Sequence, residues 1–141
     1  MDPIEALLQS SLMRALDDRQ LNSLASVARR RRFDPGEHLI REGTAGALAM
    51  FVVLEGKVGV KKGEQLIAEF GPGAHVGEVA VLGPEDQRRT ADVVAIEPTT
   101  VLQLTKWDIF PVLKTNPDAA LAVISDLAKR LSDATGRMAA D

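Results

Sequence analysis

The sequence predicts a mainly β fold: an eight-stranded jelly roll with helices before it and a long helix after it. From Phe33 onward, short apolar runs alternate with glycine turns at nearly regular spacing, which is typical of a sandwich or barrel. On both sides of this region the apolar residues recur at helical spacing. The 141 residues therefore predict one domain. It divides into N-terminal helices (1–29), the jelly roll (30–105) and C-terminal helices (106–141).

Composition excludes several classes of protein. The chain has no cysteine, so it has neither a disulfide framework nor a thiolate metal site, and a reducing compartment suits it. The N-terminus begins Met1-Asp2-Pro3, which is acidic and not basic, and no long apolar run follows it, so we expect neither a signal peptide nor a membrane span. The net charge of -3 gives no general attraction to nucleic acid or anionic membranes. We therefore expect a cytoplasmic protein that touches neither membrane nor nucleic acid.

The N-terminal region predicts two short amphipathic helices, over 4–13 and 18–28, that pack as a lid on the following strands. The run Arg29 to Arg32 follows them. It could form a nucleic-acid patch or simply a solvated strand face. The overall acidity and the shortness of the run favour the solvated face.

The glycine-punctuated region predicts eight strands, bounded by turns such as Asp34-Pro35-Gly36 and Gly71-Pro72-Gly73. The predicted strands cover residues 31–33, 38–40, 49–54, 57–61, 65–70, 75–76, 91–95 and 99–105.

After Thr105 the pattern becomes helical again. A short helix is predicted over 106–113, with Trp107 packed at a hinge, and Asn116 and Pro117 are typical of the N-cap and first turn of a last helix reaching about Met138. Its predicted apolar face contains Leu121, Ile124, Ala128, Leu131, Thr135 and Met138, flanked by Leu127, while Asp126, Lys129, Arg130, Asp133 and Arg137 are predicted to face outward. The apolar face needs a partner: the jelly roll, the same helix of a second chain, or both.

The stretch from Gly71 to Ala95 predicts an anion site. Gly77 allows a tight turn, and the helical turn after it has unpaired N–H groups that favour a phosphate. After a loop, Arg89 supplies a guanidinium that can hold a phosphate through two parallel hydrogen bonds, and Thr90 adds a hydroxyl. Glu78 would repel a highly charged phosphate but can accept a hydrogen bond from a sugar hydroxyl. The residues therefore favour a singly charged phosphodiester attached to ribose.

These residues resemble a known motif. Gly77-Glu78-Val79-Ala80-Val81, followed by Arg89-Thr90-Ala91, resembles the phosphate-binding cassette of cyclic nucleotide-binding domains of the catabolite-activator and protein-kinase-A regulatory type. Pro35-Gly36-Glu37, Glu42-Gly43 and the segment 51–58 resemble turns of the same family. Thr44 departs from the family's usual Asp, and the cassette loop 82–88 is about one residue longer than in many relatives.

The resemblance implies a ligand, cAMP or cGMP, and a role for each cassette residue. The implied ligand-binding residues are Gly77, Glu78, Val79, Ala80, Arg89, Thr90 and Ala91. It implies that Arg89 contacts the cyclic phosphate, the Ala80 amide a phosphate oxygen, and Glu78 with Gly77 the ribose 2′-hydroxyl. Thr90 supplies an amide and a hydroxyl. Because a threonine at this position can also bond a guanine amino group, the resemblance leaves both nucleotides open, with cAMP favoured over cGMP. Arg88 is out of register. Arg130, Ala134 and Thr135 are candidates for covering the base.

The function implied is a regulatory sensor and not an enzyme, in which ligand binding moves the C-terminal helices. A cupin-type metal site is not expected, because His38 and His75 are not at metal-ligand spacing. A homodimer through the last helix is possible, and the effector protein is unknown. Two alternatives stay open: the sensor and dimerisation part of a catabolite-activator-type transcription regulator without its DNA-binding domain, or a protein-interaction module that has lost its ligand.

Overall fold

The computed structural model describes residues 2–9, 13, 16–41, 43, 49–83 and 91–140, and for residues 79, 80, 134 and 137–140 it describes the backbone alone. In chain order the elements are α1 (Pro3–Gln9), α2 (Asp18–Val27), β1 (Arg29–Phe33), β2 (His38–Ile40), β3 (Ala49–Glu55), β4 (Val58–Lys62), β5 (Gln65–Phe70), β6 (His75–Val76), α3 (Glu78–Leu82), β7 (Asp92–Ala95), β8 (Thr99–Thr105), α4 (Lys106–Thr115) and α5 (Pro117–Ala140).

The described strands form two four-stranded sheets, in the orders β1-β8-β3-β6 and β2-β7-β4-β5. The pairs are antiparallel, and most neighbours in a sheet are distant in sequence, as in a jelly roll. The predicted mainly β fold with flanking helices is therefore confirmed. Strand ends differ from the prediction by a residue or two: β1 begins at Arg29 and β7 at Asp92.

Strand β3 separates two apolar cores. Successive side chains of a strand point to opposite faces, so Phe51 and Val53 lie between the two sheets, whereas Met50 and Val52 face the helices. The ring of Phe33 meets that of Phe51 edge to face, with centroids 6.3 Å apart. Because both faces of β3 are covered, its sequence is a continuous apolar run without alternation.

The helices cover one sheet, as the lid prediction required. Leu7 of α1 and Leu21 of α2 are almost completely buried in the core on the helix side of β3. Helix α2 begins with a capping box in which the Gln20 N–H donates to Asp17 Oδ1 at 2.8 Å and the Asp17 N–H donates to Gln20 Oε1 at 3.1 Å.

Two surface features differ in outcome. All four arginines of β1 are exposed on an edge strand, a position that suits a solvated face and a nucleic-acid patch alike, and Arg31 donates to Gln103 Oε1 at 2.9 Å. The prediction that Trp107 packs at a hinge is wrong: the indole is 71% exposed, and it lies beside the Lys106 ammonium.

Neither α5 nor any other described helix combines the length and hydrophobicity that a bilayer span needs.

Candidate functional site

The predicted tight turn before the cassette is present at Gly77. Its φ of 87° lies in the left-handed region, which favours glycine because a Cβ would be strained there. The turn directs the chain from the end of β6 straight into α3, so the backbone amides at the start of that helix are presented beside β6.

Helix α3 is only five residues long, and a buried apolar side chain anchors it. Val81 is fully buried in the same core as Met50 and Val52 of β3. The predicted helical turn over 78–82 is confirmed, and its position is set by apolar packing against the sheet.

Glu78, the first residue of α3, is only 7% exposed. A buried carboxylate needs a charged or hydrogen-bonding partner, because desolvation strongly disfavours an isolated charge. Its Oε1 accepts a hydrogen bond from Nη1 of Arg130, which lies in α5. A contact between residues 52 positions apart therefore joins the cassette to the last helix.

Arg130 also contacts two further side chains. Its Nη2 lies 2.6 Å from His75 Nε2, and its Nε lies 3.2 Å from Asp126 Oδ2, one helical turn earlier. His75 Nε2 is also 3.7 Å from the same Asp126 oxygen. We call His75, Glu78, Asp126 and Arg130 the Arg130 cluster. Guanidinium nitrogens are donors only, so His75 Nε2 is the acceptor of this pair and the imidazole is neutral, with its proton on Nδ1.

The environment of His75 favours that neutral form. Burial lowers the pKa of His75 below its ordinary value of 6.5, and the positive charge of Arg130 lowers it further. The carboxylates of Glu78 and Asp126 act in the opposite direction and offset part of this effect.

The outward orientation predicted for Asp126 and Arg130 is wrong, since both turn toward the jelly roll. The Asp126 side chain is only 14% exposed. Most of the predicted apolar face instead points away from the jelly roll, where Leu121, Ile124 and Leu131 are each more than 60% exposed. Helix α5 packs inward through Ala119 and Val123, with Leu127 partly buried beside them.

The three candidates for covering the base have different outcomes. Arg130 is bonded to Glu78, and Thr135 is exposed, with its hydroxyl donating to the Leu131 carbonyl at 3.0 Å. The Ala134 side chain lies outside the described residues.

The structure brings together only part of the predicted cassette. Glu78 contacts Arg130 of α5, Gly77 forms the turn before it, the backbones of Val79 and Ala80 lie in α3, and Ala91 is partly buried just before β7. The residues from 84 to 90, which include Arg88, Arg89 and Thr90, lie outside the described part of the chain.

Sequence reasoning missed His75 and Asp126 as members of this site. In the sequence His75 bears only on the question of a metal site, and its strand of two residues gives no signal of what the side chain faces. Asp126 and Arg130 are four residues apart on a helix, a spacing typical of an ion pair, but that spacing does not show which way the pair points.

Comparison with known proteins adds independent information. The family model described as a cyclic nucleotide-binding domain matches residues 30–116. The cyclic AMP receptor protein of Thermus thermophilus is 29% identical over 130 residues, covering 89% of this chain and 59% of that protein. The crystal structure of the T. thermophilus catabolite activator protein matches with a TM-score of 0.78 at 28% identity, over 91% of this chain and 61% of that one.

Two further relatives are a protein kinase and the regulatory domain of another one. The cGMP-dependent protein kinase of Eimeria tenella is 32% identical over 106 residues, covering 75% of this chain and 10% of that protein. The regulatory domain of Toxoplasma gondii PKA, co-crystallised with cAMP, matches with a TM-score of 0.69 at 25% identity, over 81% of this chain and 42% of that one. This chain thus spans less than two thirds of the length of each of these relatives.

Proposed function

The chain belongs to the cyclic nucleotide-binding domain family, a family of regulatory domains, and on that premise we propose that it binds cAMP in the cassette formed by residues 77–91. In this proposal the chain senses the nucleotide, catalyses no reaction, and reports binding by moving its C-terminal helices.

The observation that carries the proposal is the position of Glu78. Its buried carboxylate stands at the first turn of a short helix, directly after the left-handed Gly77. An acceptor at that place suits a ribose hydroxyl, while the neighbouring amides suit a phosphate oxygen. A cyclic nucleotide carries both groups close together.

The remaining cassette roles are proposed from the family pattern. Arg89 binds the cyclic phosphate, the Ala80 amide binds a phosphate oxygen, and Thr90 supplies an amide and a hydroxyl, with Val79 and Ala91 completing the cassette. Each charge-assisted hydrogen bond contributes about 1.5–3 kcal/mol. Three or four of them account for micromolar affinity, about -8 kcal/mol, after the cost of association.

We propose cAMP over cGMP. The T. thermophilus relative is named as a cyclic AMP receptor, and the T. gondii domain was crystallised with cAMP. The E. tenella kinase is named for cGMP, and the hydroxyl of Thr90 can accept a hydrogen bond from a guanine amino group, so cGMP is the rival ligand.

Calorimetric titration of cAMP and, separately, cGMP tests the proposal. We expect micromolar or tighter cAMP binding that disappears in Arg89→Ala and persists in the register control Arg88→Ala. Absence of heat with both nucleotides, together with no thermal shift at millimolar concentrations, would contradict nucleotide binding and favour the protein-interaction module.

Helices α4 and α5 are the proposed moving parts. Val81 of α3, Ile109 of α4 and Val123 of α5 share one apolar core, so a displacement of α3 by ligand changes the packing of both later helices. Amide hydrogen exchange over residues 107–138 should change at saturating cAMP. Unchanged exchange with demonstrated binding would contradict the switch alone.

We also propose that α5 pairs with α5 of a second copy. Leu121, Ile124, Ala128, Leu131 and Thr135 are exposed on one side of the helix and form what we call the outward stripe. Their steps of three and four residues alternate, as at the a and d positions of a coiled coil. The same stripe favours the second candidate function, the sensor and dimerisation part of a larger regulator of the catabolite-activator type.

A further inference from the structure

We propose that a proton on His75 acts as a second ligand of this domain, which releases α5 from the jelly roll and so weakens the binding of the cyclic nucleotide as the solution becomes acidic. The effect on the nucleotide rests on the proposed function. The release of α5 does not, because it depends only on the contacts of His75.

The first argument is the place of the imidazole. His75 lies in β6, paired with Val52 of β3, and only 3% of it is exposed. Its Nε2 faces two side chains of α5, with Nη2 of Arg130 at 2.6 Å and Oδ2 of Asp126 at 3.7 Å. The sheet therefore fixes the ring, and protonation of this one nitrogen changes what α5 meets there.

The second argument is the chemistry of the shorter contact. A guanidinium has donors only, so Nε2 binds Arg130 through its lone pair. A proton on Nε2 uses that lone pair and adds a positive charge, so two cationic donors would then face each other at the same short distance. Because the ring is held in β6, Arg130 and the helix that carries it are the parts that move away.

The third argument is the balance of the charges that face the ring. Besides Arg130, they are Asp126 on α5 and Glu78 at the start of α3. The two carboxylates favour a proton on His75, but both already pair with Arg130. Burial and then the charge of Arg130 act more strongly, and the pKa of His75 is lowered.

Release of α5 changes the affinity of His75 for a proton. Without Arg130 the imidazole meets water, and its pKa returns toward the ordinary value of 6.5. A proton therefore binds the released form more tightly than the docked form. Docking of α5 is unaffected by pH above 6.5, and it weakens as the pH falls from there toward the lower pKa of the docked form.

The cyclic nucleotide is expected to favour the docked form. The candidates for covering the base, Arg130, Ala134 and Thr135, all lie in α5. Docking keeps this helix beside the cassette, where Arg130 contacts Glu78. Two ligands that favour different forms weaken each other's binding, so acid should lower the affinity for cAMP.

Amide hydrogen exchange of the nucleotide-free chain at about pH 7.5 and about pH 5.5 tests the release of α5. Protection factors compare each amide with an unstructured peptide at the same pH, which removes the intrinsic effect of pH on exchange. One proton with an ordinary pKa of 6.5 allows at most about a tenfold effect at the lower pH. We expect acid to lower the protection of the α5 amides about fivefold relative to those of β3.

Two variants identify the group that binds the proton. His75→Gln keeps an acceptor for Arg130 but does not titrate, so it should abolish the loss of protection in acid. The matched control is His38→Gln, which should behave as the wild type. The chain has only two histidines, and His38 lies 3.9 Å from Asp92, away from α5.

Three outcomes overturn the release: an equal loss of protection in all three proteins, no loss in the wild type, or a gain. If His75→Gln does not fold, nuclear magnetic resonance of the wild type decides. The ring signals of His75 and the amide signals of α5 should then titrate together, with a midpoint below pH 6.5. Titration of His75 without any change in the α5 amide signals contradicts the release.

Calorimetric titration of cAMP at the same two pH values tests the effect on the nucleotide. The charge of cAMP is the same at both, because its phosphodiester and its adenine titrate at lower pH. We expect affinity to fall about threefold in acid for the wild type and His38→Gln, and less than about 1.5-fold for His75→Gln.

Equal changes in the three proteins, or tighter cAMP binding in acid, contradict the coupling between proton and nucleotide. If none of the proteins binds cAMP at either pH, the proposed function fails, and amide exchange alone decides whether a proton on His75 releases α5.

Discussion

The side of α5 that meets the jelly roll carries a charged pair, whereas the side exposed to solvent carries large apolar residues, which is the reverse of the usual distribution on a helix. Toward the jelly roll the helix presents Val123 together with the charged pair Asp126 and Arg130, while away from it lie Ile124 and Leu131. Val123 and Ile124 are neighbours in sequence, yet Val123 is 6% exposed and Ile124 is 61% exposed. An apolar stripe on a helix therefore identifies a surface that favours burial, and it does not identify which partner buries it.

Charge complementarity explains why the polar side lies inward. The cassette offers a buried carboxylate on Glu78 and a buried imidazole on His75, and both need a hydrogen-bonding partner. Arg130 satisfies them with a side chain that keeps 39% exposure. Burial of Val123 and Ala119 beside the pair supplies apolar contact on the same side.

The largest expected effect is on the free energy of unfolding, and it distinguishes the two sides of α5 at the adjacent positions 123 and 124. Val123→Asp should lower the free energy of unfolding by about 3 kcal/mol or more, because it places an unpaired charge in the core. Ile124→Asp should change the intrinsic stability of the fold by less than about 0.5 kcal/mol. Urea denaturation at low protein concentration measures both. Similar losses in the two variants would contradict the orientation of α5.

The next effect concerns the outward stripe. Leu131→Asp should raise the dissociation constant of the proposed dimer at least about tenfold, equivalent to about 1.4 kcal/mol, because it introduces a charge between apolar surfaces. Sedimentation equilibrium measures it, and Lys129→Gln, which is exposed, off the stripe and of the same change in net charge, is the control. A wild-type chain that is monomeric at all concentrations would refute the dimer.

A smaller effect on the free energy of unfolding is expected at the N-cap of α5, which affects both sides of that helix together. Asn116 Oδ1 accepts the Ala119 N–H at 3.1 Å, as predicted for the N-cap, and its amide donates to Gln20 Oε1 at 2.9 Å. Asn116→Ala should lower the free energy of unfolding by about 1 kcal/mol. Asn22→Ala, at an exposed position within α2, should stay within about 0.5 kcal/mol in the same urea experiment. Equal losses would mean that the cap contributes nothing specific.

The smallest expected effect is on pH dependence, because a single proton is involved. The folded pKa of His75 is lowered, so the unfolded chain binds the proton more readily. The stabilisation from neutral His75 is complete above pH 6.5 and is lost as the pH falls from there toward the lower folded pKa. The groups facing this imidazole are Arg130 and Asp126 of α5 and Glu78 of α3.

Urea unfolding above and below pH 6.5 measures this dependence. His75→Gln should abolish the part of this pH dependence that comes from His75. His38→Gln should leave the pH dependence in place, because His38 is about a quarter exposed and lies 3.9 Å from Asp92, away from α5. A pH dependence unchanged by His75→Gln would show that neutral His75 contributes nothing.

Much of the site could be predicted from local sequence. Gly77 requires a left-handed turn, and the apolar residues of α3 require a helical turn packed on the sheet, so the start of the cassette follows from neighbouring residues. The resemblance carried by Gly77, Glu78 and Ala80 identified the family correctly. The partner of Glu78 could not be predicted, because it comes from a residue 52 positions later.

The sequence by itself determined the mainly β fold of the described strands, the glycine turns at Gly36 and Gly73, the start of α5 at Pro117 and the cassette that marks the family. These depend on local preferences: alternation, glycine conformation and capping. The tertiary structure alone decided which side of α5 meets the jelly roll and that Arg130 and His75 share a site with Glu78. The physical reason is that helical periodicity specifies an angle around the helix axis, whereas the rotation of that helix against the sheet is set by partners distant in sequence.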